Sequence, residues 1–388
     1  MDNRHVVIVG GGVIGSAIAY FLVAHPRFQG RVSVLERDPT YTHASSALSA
    51  SSIRQQFSTP LNIQMSQFGI TFLRELHQHL AVDGEVPELG LTEHGYLYLA
   101  TATGAATLQE NHQTQKAEQV DVALLDPDTL QRRFPWLNID DLAVGSLGLS
   151  GEGWFDGYAL LMAFRRKARS LGVNYIQADA QGFVHSQGKV QGVRLRDASV
   201  IFCDAAVNAA GAWARPLLTG TGFDLPVVGR KRTVFVVSSP AQTPACPLII
   251  DPSGLWLRPE GQHWICGLPP EDDPDDAPLE ADYGQFDTVW QIMANRVPAF
   301  EALRMQRAWA GYYEYNVFDQ NAVIGAHPQL SNVILANGFS GHGMQHAPAA
   351  GRGIAELLVD GTYSSLDLSP LSAQRLLDGR PLLEKNVI

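Results

Sequence analysis

Residues 6–24 read VVIVGGGVIGSAIAYFLVA, and a second apolar run, VSVLER, follows at residues 32–37. The first four residues form a continuous apolar run, which is typical of a strand buried on both faces. Gly10, Gly12 and Gly15 then follow in a G-x-G-x-x-G pattern. These glycines allow, in turn, a tight turn, a close approach of the backbone to a pyrophosphate, and close packing of a helix on the strand.

The second apolar run ends in a carboxylate that supports the same interpretation. Glu36 follows the predicted strand Val32–Leu35, roughly 20 residues after the glycines, where it can accept hydrogen bonds from both ribose hydroxyls of an adenosine. A carboxylate there repels a 2′-phosphate, so FAD or NAD is favoured over NADP. The small, apolar residues Ser16–Ala24 predict a helix whose N-terminus favours phosphate. A glycine-rich turn without a ligand is the alternative, and the agreement of strand, glycines, helix and Glu36 argues against it.

Composition excludes several classes of protein. The chain has 388 residues, 45% of them hydrophobic and 17% charged, which predicts two or three domains or one large α/β unit. A net charge of −11 argues against nucleic acid and anionic membranes as partners. The three cysteines (Cys203, Cys246 and Cys266) show no C-x-x-C spacing, so neither a disulfide framework nor a metal site is predicted.

No apolar run is long enough to predict a transmembrane segment. The first predicted strand begins at the sixth residue, so we expect no cleavable presequence within the sequence as given. The cysteine usage fits a reducing compartment, so we expect a bacterial cytoplasm, or a mitochondrial matrix if the sequence is a trimmed eukaryotic chain.

Periodicity predicts alternating helices and short buried strands, with no internal repeat. Predicted helices cover residues 61–80, 105–117, 128–133, 157–171, 283–297 and 349–358. Predicted strands cover residues 95–100, 173–176, 181–185, 189–195, 200–202, 205–209, 323–324 and 333–336, and residues 225–237 and 248–266 are strand-rich. The acidic run EDDPDDAPLEAD at residues 271–282 predicts a solvated surface loop, with a lid or docking patch as the alternative.

Nucleotide-domain patterns therefore occur near the start, the middle and the end of the chain. The predicted fold class is α/β, with a Rossmann-like FAD/NAD(P)-binding domain built from three segments and an antiparallel-sheet substrate domain. We expect residues 1–80, 145–222 and 320–388 to form the first domain, and residues 81–144 and 223–319 to form the second.

Several motifs carry a resemblance to a known family. GGGVIG with LER, SSALSASSIR, NAAGAWA and GFSGHG resemble the D-amino-acid oxidase superfamily of flavoproteins, and the sarcosine oxidase and dimethylglycine dehydrogenase branch is nearest in style. The likeness extends over nearly the whole chain and includes a mitochondrial member of the family that is linked to respiratory complex assembly. The motifs that resemble this member are RQQFS, EGWFD, FPW, VPAFE, WAGYYEYNVFDQN and GFSGHGMQHAP. The resemblance implies FAD as the cofactor and this superfamily's two-domain fold.

The resemblance implies a set of cofactor-binding residues. The first glycine turn is expected to hold the FAD pyrophosphate with Gly10, Gly12, Val13, Ile14 and Gly15. The adenosine is expected to meet Glu36, Arg37 and Ala180. The loop that passes the pyrophosphate, ribityl chain and ring contains Ser45, Ser46, Ser49 and Ser52. The turn beside the cofactor contributes Ala210, Gly211 and Trp213. The flavin ring is expected to be wrapped by Gly338, Phe339, Ser340, Gly341, His342, Gly343 and Met344.

The family oxidises an amine by moving a hydride from the carbon next to nitrogen to flavin N5. Arg54 matches the family's carboxylate-anchoring arginine, a task that suits a bidentate guanidinium. His342 is expected on the flavin side of the site, with Gln345 beside it. Further candidates, each with an ordinary structural role as its alternative, are Arg232, Arg258, Trp256, Tyr312 and Tyr313.

Two departures from the family pattern concern reactivity with oxygen. Monomeric oxidases of the family carry lysines at positions that Ile265 and Gln345 occupy here, so a dehydrogenase that passes electrons to another acceptor, such as an acceptor protein, is favoured over an oxidase. Gly311 stands where some relatives attach flavin through a cysteine, so noncovalent FAD is expected.

Three functions remain open at this point. The first is an FAD-dependent oxidoreductase acting on a small-molecule amine or amino acid, with a secondary or N-substituted amine favoured. The second is an FAD-binding assembly or scaffold factor for a respiratory complex, with little or no turnover. The third, an NAD-dependent dehydrogenase, is disfavoured because GFSGHG has no use in a nicotinamide site.

Overall fold

The computed structural model describes residues 4–385, which contain nineteen strands and eleven α-helices. The strands are β1 (His5–Val9), β2 (Arg31–Glu36), β3 (Ser52–Ile53), β4 (Tyr96–Ala100), β5 (Val122–Leu125), β6 (Val144–Gly148), β7 (Gly153–Trp154), β8 (Asn174–Gln177), β9 (Ala180–Ser186), β10 (Lys189–Leu195), β11 (Val200–Phe202), β12 (Ala205–Asn208), β13 (Val227–Ser238), β14 (Leu248–Ile250), β15 (Trp256–Glu260), β16 (His263–Gly267), β17 (Arg304–Asn316), β18 (Val323–Ala326) and β19 (Val333–Asn337). The helices are α1 (Val13–Ala24), α2 (Ser45–Leu48), α3 (Pro60–Arg74), α4 (Leu76–His79), α5 (Ala105–Ala117), α6 (Pro127–Arg133), α7 (Gly157–Ser170), α8 (Ala214–Leu217), α9 (Phe286–Arg296), α10 (Gly343–Asp360) and α11 (Gln374–Leu377).

A six-stranded sheet carries the glycine motif, in the order β18-β19-β12-β1-β2-β8. Its pairs are parallel except for β18 on β19, and Val6 of β1 lies between Ala205 of β12 and Val32 of β2. Val6 and Ile8 pack in the cluster that includes α1, α7 and α10, whereas Val7 belongs to the cluster on the opposite face, which includes β9 and β10. The strand is therefore buried on both faces, as its apolar run predicts.

An eight-stranded sheet forms the second layer, in the order β17-β13-β16-β15-β14-β4-β6-β5. Its pairs are antiparallel except for β14 on β4, and its longest ladder joins β13 to β17. Strand β6 belongs wholly to this sheet through β4 and β5, although the predicted domain boundary at residue 145 falls inside it. We therefore propose that this boundary lies after Gly148, with the rest of the domain division unchanged.

Two helix boundaries differ from the sequence prediction. The last long helix begins at Gly343, six residues before the predicted start at Ala349, and contains Pro348 in its second turn. A proline and two glycines disguise this start, because they are typical of loops. The predicted helix over residues 61–80 is broken at Glu75, which leaves helical geometry with ψ of 28° and separates α3 from α4. The fold class itself is confirmed.

Candidate active site

Three connected chambers run along the side of the six-stranded sheet toward the eight-stranded sheet. The wide chamber, of about 410 Å³, is lined by residues that include Gly10, Glu36 and Trp213. The middle chamber, of about 90 Å³, is lined by Phe339 among others, and the inner chamber, of about 50 Å³, by Arg54 among others. The wide and middle chambers share five lining residues: Val13, Ile14, Ser45, Ser46 and Glu314. The middle and inner chambers share Ala50, Trp256, Tyr313 and Gly341.

The glycine turn at the wide chamber leaves no room for side chains. Gly10 has φ of +101°, and a Cβ there would lie 2.3 Å from the carbonyl oxygen of Ala209. A Cβ on Gly15 would lie 1.9 Å from the carbonyl oxygen of Gly10, so that glycine lets α1 pack against the turn. The first N–H of α1, on Val13, is held by Ser46 Oγ at 3.0 Å. The N-terminus of α1 therefore faces the wide chamber, where it favours an anion.

Glu36 is fixed by the backbone on two sides. Its Oε2 accepts the N–H of Gly11 at 2.8 Å and its Oε1 accepts the N–H of Asp38 at 2.9 Å. Arg37 and Trp213, predicted from separate motifs, meet in the chamber wall, where the guanidinium carbon lies 3.7 Å from the centre of the indole ring. Their contact is a cation–π pair, which makes one continuous wall from two distant segments.

Two buried hydroxyl groups show that the wide chamber fits a polar ligand. Ser45 Oγ and Tyr41 OH have no hydrogen-bond partner among residues 4–385, and both residues line this chamber. Buried hydroxyls are almost always hydrogen-bonded in folded proteins, so unpartnered ones beside a cavity favour a ligand with acceptor oxygens. The phosphates and ribose of a dinucleotide supply such oxygens.

The middle chamber is formed where three segments meet. The β19–α10 turn and the start of α10 contribute Phe339, Gly341, Gly343 and Met344, the α2 region contributes residues 45, 46 and 48–50, and β17 contributes residues 311–314. Gly341 has φ of +89°, and a Cβ there would lie 2.7 Å from Tyr313 Cε2. The glycine thus allows the turn to lie against the tyrosine ring. Because α10 begins at Gly343, its positive end lies at this chamber.

Arg54 is the central residue of the inner chamber. Its side chain is buried, and its Nη2 lies 3.1 Å from His342 Nε2 while its Nη1 donates to the Gln56 carbonyl at 3.3 Å and to the Tyr98 hydroxyl. Its guanidinium carbon also lies 4.3 Å from the centre of the Phe57 ring. These contacts fix the plane of the guanidinium before any substrate arrives.

His342 and Gln345 complete the wall behind Arg54. Burial, and then the charges of Arg54 and His346, hold the pKa of His342 well below its usual value, so the imidazole is neutral at physiological pH. Gln345 accepts the backbone N–H of Arg54 at 2.8 Å through its Oε1, and Ser66 Oγ donates to the same oxygen at 3.4 Å. Gln345 therefore fixes the backbone that carries Arg54.

Glu152 supports the same loop, although the sequence predictions did not single it out. Its Oε1 accepts the N–H groups of Gln55 and Gln56 at 2.6 and 3.0 Å, and its Oε2 accepts Gln56 Nε2 at 2.8 Å. Burial raises the pKa of Glu152 to about 7, while these donors and the charge of Arg54 lower it. The motifs RQQFS and EGWFD contain both halves of this contact, and an acidic residue between two glycines was the signal that could have revealed it.

Arg232 lines the middle chamber but is already paired. Its two terminal nitrogens donate to the carboxylate of Asp273 at 2.8 and 3.0 Å, and Arg230 pairs with Asp275 at 2.9 Å. The acidic run at residues 271–282 is a surface loop, as predicted, with eight of its twelve residues exposed, and Asp273 and Asp275 attach it to β13. The tyrosine hydroxyl of Tyr312 also donates to the Ala277 carbonyl. The alternative, a lid or docking patch, stays a prediction.

Arg258 does not reach the chambers. It is buried against Trp154, donates to the Ala50 carbonyl at 2.7 Å and pairs with Glu260. Among the candidates, Arg258 thus has the structural role: it supports residue 50 from behind. Trp256, on the same strand, lines both the middle and the inner chamber.

The positions that bear lysine or cysteine in some relatives are apolar or closed here. Ile265 is buried in a cluster with Val234 and Val236. A Cβ on Gly311 would lie 2.9 Å from Leu48 Cβ, so that position has little room for a side chain. No cation and no thiol therefore stands at these two positions.

Most residues predicted from the sequence line the chambers, and their roles stay predictions. The wide chamber has Gly10, Gly12, Val13, Ile14, Glu36, Arg37, Ser45, Ser46, Ala180, Ala210, Gly211 and Trp213. The middle chamber adds Ser49, Arg232, Tyr312, Tyr313, Phe339, Gly341, Gly343 and Met344, and the inner chamber adds Ser52, Arg54, Ser340, His342 and Gln345. Gly15 and Gly338 lie outside the lining; Gly338, with φ of +73°, packs against Val227 and Asn316.

Comparisons with known proteins agree with this architecture. The family model described as "FAD dependent oxidoreductase" matches residues 5–357. FAD-dependent oxidoreductase domain-containing protein 1 of Xenopus laevis is 43% identical to this chain, over 100% of the chain and 85% of that protein. The structure of L-proline dehydrogenase from P. horikoshii superposes with a TM-score of 0.86 at 24% identity, covering 98% of this chain and 99% of that one. Glycine oxidase from Geobacillus kaustophilus gives a TM-score of 0.80 at 22% identity, covering 95% and 98%.

These two solved structures show the fold that the chain shares with them. In the part of the chain from residue 4 to residue 385, no helix has the length and apolar character needed to span a membrane.

Proposed function

The chain belongs to the family of FAD-dependent oxidoreductases, with FAD as its cofactor, and we propose that it oxidises an amine or amino acid, favouring a secondary or N-substituted amino acid. When bound, FAD accepts a hydride at N5. The substrate carbon next to nitrogen gives up that hydride, the nitrogen loses its proton, and the imine product hydrolyses in water. The observation that carries the proposal is the buried Arg54 guanidinium in the inner chamber.

Chamber size and chemistry support a proposed position for each part of the cofactor. The wide chamber has the glycine turn, Glu36 and the unpartnered hydroxyls of Tyr41 and Ser45, which suit the adenosine and pyrophosphate. The middle chamber has aromatic and small residues and the N-terminus of α10, which suit the flavin ring and the negative charge that it gains.

The inner chamber would then orient the substrate. A carboxylate there would meet Arg54, and the aromatic rings of Trp256 and Tyr313 line the boundary between the middle and inner chambers. The titratable groups among the described residues of this chamber are Arg54, Tyr96, Tyr313 and His342, and none is a carboxylate. Burial raises the pKa of Tyr96 to about 12, so its hydroxyl keeps its proton. This environment suits hydride transfer from a neutral amine without a strong general base.

Names of structural neighbours point to the same substrate class. L-proline dehydrogenase and glycine oxidase are named for amino acids, one a secondary amine, and both have this fold. We favour a dehydrogenase over an oxidase, because the two positions that carry lysine in the family's monomeric oxidases have apolar Ile265 and neutral Gln345 here. A separate acceptor, such as an electron-transfer protein, would then reoxidise the cofactor.

The assembly or scaffold hypothesis remains the second candidate. It predicts bound FAD without turnover. The fixed guanidinium of Arg54, held by His342 and by the Gln345–backbone contact, supports catalysis, because a purely structural cofactor needs no preformed anion site at the end of its chamber.

Anaerobic reduction tests the proposal. The holoenzyme is mixed with sarcosine, dimethylglycine, proline, pipecolate, D-amino acids or glycine, and the long-wavelength absorption band of the flavin is followed before air is admitted. Bleaching by one compound in the wild type, with no bleaching in Arg54→Gln that still holds FAD, is the expected result. Slow recolouring in air indicates a dehydrogenase and rapid recolouring an oxidase. If no compound bleaches the flavin absorption band, the assembly hypothesis is favoured instead.

A further inference from the structure

Glu314 occupies the junction of the wide and middle chambers. It lies on β17 opposite Gly229 of β13. Of the described residues that line both chambers, it is the one with an ionisable side chain. Its Oε2 accepts the N–H of Gly338 at 3.1 Å, and its backbone carbonyl accepts the N–H of Ser340 at 3.0 Å. The carboxyl group is thus fixed where the wide and middle chambers adjoin.

Small residues keep space open around this carboxyl group. An ideal Cβ on Gly211 would lie 4.0 Å from Glu314 Oε2, and one on Gly343 would lie 3.7 Å from Oε1. Gly343 is the first residue of α10, so the carboxyl group stands beside the positive end of that helix. One side of Glu314 therefore faces the pyrophosphate end and the other the ring end.

No cation within residues 4–385 forms a salt bridge with Glu314. Burial raises the pKa of this carboxyl group to about 8, while the N–H groups of Gly338 and Phe339 lower it. The charged or titratable groups on the elements around it include Arg230, Lys231 and Arg232 on β13, Tyr312, Tyr313 and Tyr315 on β17, Asp276 beside Gly229, His342 before α10, and Glu36 and Arg37 across the wide chamber. At neutral pH the group is mainly a neutral acid, which has an O–H to donate.

Charge explains why a neutral acid suits this place. A carboxylate would repel the pyrophosphate on one side and the negative charge that the flavin ring gains on reduction on the other. It would also neutralise the positive end of α10, which otherwise stabilises that charge. A neutral carboxyl group avoids both effects and can still form a hydrogen bond.

We propose that Glu314 contacts FAD as a neutral acid, and that its O–H donates a hydrogen bond to an acceptor atom of the cofactor at the junction of the two chambers. The proposal depends on FAD binding and is independent of the amine substrate. Above the pH at which the free site ionises, the carboxyl group must take up a proton when FAD binds. FAD affinity then falls as the pH rises.

The coupling between FAD binding and protonation of Glu314 can be tested by diluting the holoenzyme and measuring the FAD that it releases. The fluorescence of free FAD reports this release, from about pH 7 to about pH 9.5. In the wild type the Kd is expected to rise about tenfold per pH unit above about pH 8, which corresponds to uptake of one proton. Glu314→Gln keeps an N–H donor but does not titrate. Its Kd for FAD at pH 7 should stay within about threefold of the wild-type value, and its Kd should not rise with pH. Glu314→Ala loses the donor and binds FAD about tenfold more weakly at pH 7.

A matched control is Glu356→Gln, since Glu356 is a buried acid on α10 whose carboxylate accepts Ser364 and Ser365 N–H groups outside the chambers. It should keep the wild-type profile. If Glu314 only anchors the Gly338 turn, Glu314→Gln will show the same pH profile as the wild type, and that result overturns the proposal. An unchanged Kd in Glu314→Ala also overturns it. Should Glu314→Ala fail to fold, the comparison of the wild type with Glu314→Gln still decides.

Discussion

Nη2 of Arg54 lies 3.1 Å from Nε2 of His342 in the inner chamber. A guanidinium has donors only, so Nε2 of the imidazole accepts and its proton is on Nδ1. The depressed pKa of His342 agrees with this neutral form. The positive charge that this pair presents to the chamber therefore belongs to Arg54, and His342 orients it.

Replacing Arg54 by lysine should separate substrate binding from cofactor binding. Lysine keeps the charge but loses the planar pair of donors, so we expect KM for an amino-acid substrate to rise about 100-fold, which equals about 2.7 kcal/mol. FAD content and its absorption spectrum should stay unchanged. Steady-state kinetics with the substrate found by anaerobic bleaching measure this effect.

The matched control is Arg215→Lys, because Arg215 is an exposed arginine that pairs with Asp224 through two nitrogens. Its KM should equal that of the wild type. Equal KM values for Arg54→Lys and the wild type would show that Arg54 does not bind the carboxylate.

Removing Glu152 should loosen the loop that carries Arg54. Glu152→Ala leaves the N–H groups of Gln55 and Gln56 without their acceptor, so the free energy of unfolding should fall by about 3 kcal/mol. Urea unfolding measures the loss, and KM should rise as well because Arg54 is adjacent. The exposed Glu110→Ala should change stability by less than about 0.5 kcal/mol; a similar loss in both variants would contradict the role of Glu152.

His346 should make the protein less stable in acid. Burial, and then the charge of Arg54, lower its pKa from 6.5 to about 3, and its Nε2 lies 3.1 Å from Ser66 Oγ. Between these values the unfolded chain takes up a proton that the folded chain does not, so the free energy of unfolding falls as the pH drops below about 6.5. At pH 5 the contribution is about 2 kcal/mol.

His346→Gln should remove that contribution, because glutamine can bond Ser66 but does not titrate. Urea unfolding at about pH 7 and about pH 5 should show a loss about 2 kcal/mol smaller than in the wild type. His263→Gln, at an exposed position on β16, should lose as much as the wild type does. An identical loss in His346→Gln and the wild type would mean that His346 is protonated in the folded state.

Asp273→Asn should release the acidic segment from β13. The pair with Arg232 is partly exposed and bidentate, so we expect its loss to cost about 1 kcal/mol and to speed proteolysis within residues 271–282 about fivefold. Limited proteolysis with mass spectrometry locates the cut. Asp272→Asn serves as the control, since Asp272 forms no ion pair within the described residues. Equally fast cleavage in Asp272→Asn would show that the Asp273–Arg232 ion pair does not specifically hold the segment.

The nucleotide end of the site could be predicted from local sequence patterns. Three glycines and Glu36 lie within one strand–turn–helix–strand unit, where spacing along the chain determines spacing in the fold. Arg37 and Trp213 were assigned to the cofactor from separate motifs, but their stacking depends on the parallel pairing of β1 with its neighbours β2 and β12. That neighbour relation has no periodic signal in the sequence.

Contacts between segments that are distant in the sequence could not be predicted from the sequence alone. Glu152 binds the backbone near Arg54, and Asp273 binds Arg232, through pairings that depend on tertiary packing. Glu314 stands among tyrosines in β17, a strand that the sequence analysis does not predict. Its burial beside Gly338 becomes visible only when β17 and the β19–α10 turn are placed together.

The order of strands in the six-stranded sheet affects how the molecule is made. Val6 pairs with Ala205, and Ala206 pairs with Val333, so β1 leaves the ribosome long before β12 and β19 exist. Until then β1 has an open, apolar edge, which is a site for aggregation and for chaperone binding. A chain truncated before Val333 would lack the neighbour of β12 and the helix that closes the flavin end, so premature termination even late in the message leaves no functional product.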